Sequence, residues 1–115
     1  MLVNVHTDNH IKGSDGLARR VEDEVSGSLE RFGDQVVTVE VYLHDDNGKK
    51  HGIDKRCVME ARLSGLKPIA ATHMAETLDE AIDGAAEKLE RSIDSTVDKL
   101  SHYKGRTSFG GDQTI

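Results

Sequence analysis

Val3 and Val5 alternate with Asn4 and His6, the period-two pattern of a short strand. Lys12-Gly13-Ser14-Asp15-Gly16 then breaks the chain, and Ser14 or Asp15 is placed to cap a helix. Leu17, Val21, Val25, Leu29 and Phe32 follow at spacings of four, four, four and three, one apolar stripe of an amphipathic helix that Gly33 ends. Gly27 lies inside that helix and weakens it by roughly 1 kcal/mol against alanine. Residues 36–44 alternate again, with Val37, Val39, Val41 and Leu43 on one face and Thr38, Glu40, Tyr42 and His44 on the other. Asp45-Asp46-Asn47-Gly48 signals a turn into a second hairpin strand. There Cys57, Met59, Ala61 and Leu63 are out of phase with Arg56, Val58, Glu60 and Arg62. Ser64-Gly65 turns the chain once more. Lys67 to His73 gives a fourth strand, with Ile69 and Ala71 inward and Pro68 at its start, where a missing N–H is tolerated.

The last element is a long helix. Thr77-Leu78-Asp79-Glu80 has the spacing of a capping box. Leu78, Ile82, Ala85, Leu89, Ile93, Val97 and Leu100 then recur at threes and fours, and Gly105 is the expected stop. The order strand, helix, three strands, helix predicts an α+β domain over residues 1–104. Its four-stranded sheet carries both helices on one face and leaves the other face polar and open. Residues 105–115, rich in Gly, Thr and Ser, read as a disordered tail.

Composition narrows the class. With 115 residues there is room for one domain. Trp is absent and the aromatics are Phe32, Phe109, Tyr42 and Tyr103, so the core must be aliphatic. The single cysteine, Cys57, precludes an internal disulfide and suits a reducing compartment. Neither a secretory signal nor an apolar run long enough for a membrane is present, so a cytoplasmic location is expected.

Catalytic chemistry finds no footing. The six histidines show no metal-ligand spacing, and Asp45-Asp46-Asn47-Gly48 is followed by Lys49, Lys50 and His51 where a calcium loop needs oxygen ligands. Gly13-Ser14-Asp15-Gly16 lacks the lysine and the spacing of a phosphate loop. Cys57 sits at a core-phased strand position, as a small apolar residue would. The expectation is a non-enzyme with no cofactor, metal or small-molecule substrate.

Charge changes the picture most. The formal net charge is −6, which by itself argues against nucleic acid. Residues 47–75, however, carry six basic and two acidic side chains. The final helix divides at about 100° per residue into an apolar stripe, an acidic stripe of Glu80, Asp83, Glu87, Glu90, Asp94 and Asp98, and a basic stripe of Lys88, Arg91, Lys99 and His102. These bases could simply neutralise neighbouring acids, as Glu87 and Arg91 do at i,i+4. Joined to Lys49, Lys50, Lys55, Arg56, Arg62 and Lys67, they would instead form a continuous patch that binds RNA backbone by charge and shape. With so few aromatics, a stacking platform for single strands is not expected.

One stretch is more specific than the element order. Ile69-Ala-Ala-Thr-His73 leads through Met74-Ala-Glu-Thr-Leu-Asp-Glu-Ala-Ile-Asp83 into Gly84-Ala-Ala-Glu-Lys-Leu-Glu-Arg91. This resembles the ribosome hibernation promoting factors, also called the sigma-54 modulation or ribosome-associated inhibitor family. Their members run from a small-residue strand through D-M-Y-A-A-I-D into K-L-x-R-Q-L-x-K-x-K. Leu78, Ala81, Ile82, Asp83, Lys88, Leu89, Arg91, Asp98, Lys99 and Leu100 stand where that pattern wants them, and the likeness spans roughly residues 1–104.

The resemblance implies a fold like that of double-stranded RNA-binding domains, and a seat on the small subunit, against 16S rRNA, in the channel of mRNA and tRNA. It implies inhibition of translation and storage of ribosomes under stress, with Lys88, Arg91 and Lys99 as rRNA contacts. It also implies a short form without the extension by which long members dimerise ribosomes. Ser95 and Val97 stand where the family commonly has lysine, so weaker binding and a salt slope lower by about 0.7–0.9 per lost contact are expected. The rival reading is a protein-interaction module of the same fold. Its acidic stripe would dock a basic partner, or a second copy in a weak homodimer. A sigma-54 regulator would follow from the family's historical name alone.

Overall fold

A computed structural model describes residues 1–9, 11–46 and 53–107, with side chains as far as residue 100. The elements are β1 (Leu2–Thr7), α1 (Asp15–Leu29), a 3-10 segment (Glu30–Gln35), β2 (Val36–Asp45), β3 (Lys55–Leu63), β4 (Ile69–Ala75) and α2 (Leu78–Thr107). The sheet order is β1-β2-β3-β4, with β1 parallel to β2 and the other pairs antiparallel. The parallel pair needs a crossover, and α1 supplies it.

Sequence chemistry sets the boundaries. The Ser14 hydroxyl accepts from the Leu17 amide at 3.1 Å, so Ser14, not Asp15, is the cap of α1. Gly33 sits at φ 55°, a conformation that costs glycine little, and it turns the 3-10 segment into β2. Gly65, at φ 77°, does the same between β3 and β4. Thr77 accepts the Glu80 amide at 3.1 Å and donates to the Glu80 carboxylate at 3.0 Å. That is one arm of the expected capping box. At its other end α2 runs on through Gly105 to Thr107.

Register assigns the two faces. Val3, Val39, Ala61 and Ile69 lie side by side, as do Val5, Val41, Met59 and Ala71. These rows meet Val21, Val25 and Leu29 of α1 and Ile82, Ala85, Leu89 and Ile93 of α2 in one aliphatic core. Cys57 is fully buried there, and burial pushes its thiol up to about 12, far from reactivity at neutral pH.

One strand position departs from the alternation. A bulge shifts the β2–β3 register between Val36 and Thr38, so Val36 is buried and Val37 is exposed. Val37 therefore does not share the core face with Val39.

Small residues let α2 lie close to the sheet. Ala81, Ala85 and Ala86 are buried against it, and Gly84 packs on the ring of His73 in β4. This close seat fixes the height of the α2 flank beside the sheet edge.

Candidate functional site

Helical geometry and the β4 edge together place the basic stripe. Lys88, Arg91 and Lys99 are exposed along one side of α2, and the Lys88 ammonium donates to the Thr72 carbonyl of β4 at 3.2 Å. This anchors the stripe beside the outermost strand. Arg91 pairs with Glu87 at 3.2 Å, both side chains well exposed. Among the described residues Lys88 and Lys99 form no ion pair, so their charge stays available. Lys67 is exposed just before β4. Its neighbours Gly65 and Leu66 line a cleft with Val97 and Leu100, which puts Lys67 at the same end of the fold as Lys99.

The other candidates go elsewhere. Arg56 and Arg62 belong to the outer rows of β3, on the sheet face away from both helices. Arg56 is held by the Asp46 carboxylate at 3.2 and 3.1 Å. Arg62 is exposed near Glu40. Lys55 shares the parity of Cys57 and is tied to two buried acids, Asp54 at 2.8 Å and Asp45 at 3.4 Å. The Asp54 hydrogen bond holds its ammonium above the ordinary lysine range. Such a lysine is a structural counter-ion, not a free phosphate ligand. Lys49 and Lys50 lie outside the described residues. The continuous patch expected from sequence is thus divided, with Lys88, Arg91 and Lys99 on α2, Lys67 at the same end of the fold as Lys99, and Arg56 and Arg62 on the opposite face of the sheet.

The acidic stripe has a role that the sequence reading missed. Arg20 of α1 reaches Asp83 at 2.7 Å and Asp79 at 3.5 Å. Arg31, lying over the Phe32 ring, reaches Glu90 at 3.2 Å and Asp94 at 3.1 Å. Four carboxylates of α2 are therefore turned toward α1 and the 3-10 segment that follows it, and are met by arginines of the same chain. This clamp ties one side of α2 to α1 and the 3-10 segment, while its basic stripe is exposed beside β4. Only the knowledge of which helix faces meet would have shown it.

A second network lies on the open face. Glu40 accepts from Asn4 at 2.7 Å and contacts His6 Nε2 at 2.7 Å, and the His6 ring stacks on Tyr42 with centroids 4.8 Å apart. The Asn4 hydrogen bond, then that of His6, holds Glu40 below the ordinary carboxylate range. Arg20 does the same for Asp83. Depressed carboxylates stabilise the fold above their unfolded values, 4.5 and 3.8, and that contribution is lost as pH falls through the lower folded values. The melting temperature should therefore drop steadily below about pH 4.5, measured by circular dichroism. Arg20→Ala, which removes the partner of Asp83, should make the acid limb shallower and cost about 1 kcal/mol at neutral pH, as exposed pairs contribute little each.

The geometry is that of a cationic helix edge on an α+β scaffold. The family model of the sigma 54 modulation protein / S30EA ribosomal protein matches residues 3–101. The chain belongs to that family. No curated protein matches the sequence at a significant level. Among solved structures, the Thermus thermophilus Protein Y N-terminal domain superposes with a TM-score of 0.65 at 19% identity, covering 79% of this chain and 93% of that one. A ribosomal subunit interface protein from Coxiella burnetii gives 0.61 at 18% identity, covering 91% and 99%. At such identities the likeness establishes the fold. The family model carries the membership. No helix among the described residues is long and apolar enough to cross a membrane.

Proposed function

We propose that the protein binds the small ribosomal subunit through the phosphates of 16S rRNA and blocks translation by occupying the channel of mRNA and tRNA. Lys88, Arg91 and Lys99 are the contacts, with Lys67 at the end of the seam. The observation that carries this reading is the basic edge of α2, unpaired at Lys88 and Lys99 among the described residues and fixed beside β4. It stands on a chain of a ribosomal protein family, and the Coxiella burnetii neighbour is a ribosomal subunit interface protein. Backbone charge suffices for such a role, and no reacting group is needed. The clamp disfavours the rival module, because Asp83, Glu90 and Asp94 of the acidic stripe are already met by Arg20 and Arg31.

Three phosphate contacts give a salt slope of roughly 2–3, so a fourfold rise in salt should weaken binding by roughly 16- to 64-fold. Sedimentation through sucrose gradients tests this. The protein should travel with 30S particles at low salt and shift to the top of the gradient at raised salt. Remaining at the top in every salt would sink the reading.

A further inference from the structure

β4 is an outermost strand, and one row of its backbone groups faces away from β3. The Thr72 carbonyl belongs to that row, since it accepts from Lys88 of α2, and strand alternation adds Ala70 and Met74. Ile69–Ala75 contains no lysine, arginine, acid or proline. Natural sheets guard such edges with charge, proline or bulges, because a bare edge is a template for another strand. Here the hydrogen-bonded guard is one side chain borrowed from α2, Lys88. The two sides of the edge differ in chemistry. On the helix side lie Lys88 and Arg91, and on the open side lie Ala70, Thr72 and the exposed Met74.

We infer that the β4 edge docks an extended acidic polypeptide segment, which adds as a fifth strand with carboxylates toward Lys88 and Arg91. Its alternate residues, toward Ala70, Thr72 and Met74, are small or apolar. The Lys88 ammonium moves from the Thr72 carbonyl to a carboxylate, and the freed carbonyl accepts an amide of the incoming strand. Seven edge residues give a contact about 24 Å long. Charge selects this occupant over a second copy of the chain. Two β4 edges paired about a two-fold axis would set two Lys88–Arg91 flanks against each other, and like charges so placed repel.

The test uses the full chain and a fluorescent heptapeptide of alternating Val and Glu, read by anisotropy. Binding should weaken at least tenfold when Gln replaces Glu in the peptide, and at least tenfold when alternate peptide amides are N-methylated. Thr72→Pro, which removes an outward N–H and no bond to β3, should weaken it equally, with the fold checked by circular dichroism. Absence of binding to the wild type, or indifference to both the Gln and the N-methyl changes, overturns the inference. So does sedimentation equilibrium showing a wild-type dimer that Thr72→Pro abolishes, for then the occupant is a second copy. Thr72→Pro leaves Lys88, Arg91 and Lys99 in place, so its 30S binding reads the ribosomal proposal separately.

Discussion

Gly84→Ala lowers stability by about 1–3 kcal/mol, although alanine is the better helix former by about 1 kcal/mol. A Cβ at position 84 would fall inside the His73 ring, against Cδ2, Cγ and Nε2. His73, on β4 beneath α2, is half-buried, and either its ring or the helix must shift to admit that Cβ. The remedy is specific. In a His73→Ala background, the same Gly84→Ala change should become neutral or stabilising. Urea unfolding followed by circular dichroism gives all four corners of that cycle. A stability gain from Gly84→Ala alone would mean that α2 rides higher over the sheet, and Lys88 could not then sit at the Thr72 carbonyl.

On the proposed function, Lys88→Glu combined with Arg91→Glu should lower affinity for the 30S subunit by at least about 100-fold at low salt, with the salt slope falling from roughly 2–3 to about 1. Two of the three proposed phosphate contacts would vanish, and two repulsive charges would replace them. The fold should survive, because both side chains are exposed and the repulsion between Glu87 and a carboxylate at position 91 costs only about 0.2–0.5 kcal/mol. Arg56→Glu with Arg62→Glu is the matched control. Those arginines share the chain's basic middle but lie across the sheet, so affinity should change far less. Equal losses from the two pairs would show that the contact is not confined to the α2 edge.

Much of this was legible in the chain. The element order, both apolar helix stripes and the division of α2 into three stripes follow from periods of two and 3.6. The Val36–Val37 bulge did not, since alternation carries no record of a slip against the partner strand. Nor did the Arg20 and Arg31 clamp, because an amphipathic pattern shows which face is apolar, not which neighbour its polar rim meets. The divided basic patch is a different case. Arg56 and Arg62 are out of phase with Cys57 and Met59, so strand parity already set them on the face opposite the helices. A tally of charge along the chain hid what parity showed. Lys55 was misread for a related reason: its parity points it inward, toward Asp45 and Asp54, where a lysine serves as counter-ion. Gly105 does not end α2, as a single glycine within a helix costs only about 1 kcal/mol.

Contact mapping from a single residue tests most directly which face of the protein meets the ribosome. Ser95 is exposed on the same side of α2 as Arg91 and Lys99, and Glu22 is exposed on α1. With a photo-crosslinker at position 95 and the protein mixed with 30S subunits at low salt, illumination should join it to 16S rRNA. The same group at position 22 should leave the rRNA unlabelled. Labelling of rRNA from position 22 with none from position 95 would contradict the claim that the cationic edge of α2 is the face turned to the ribosome.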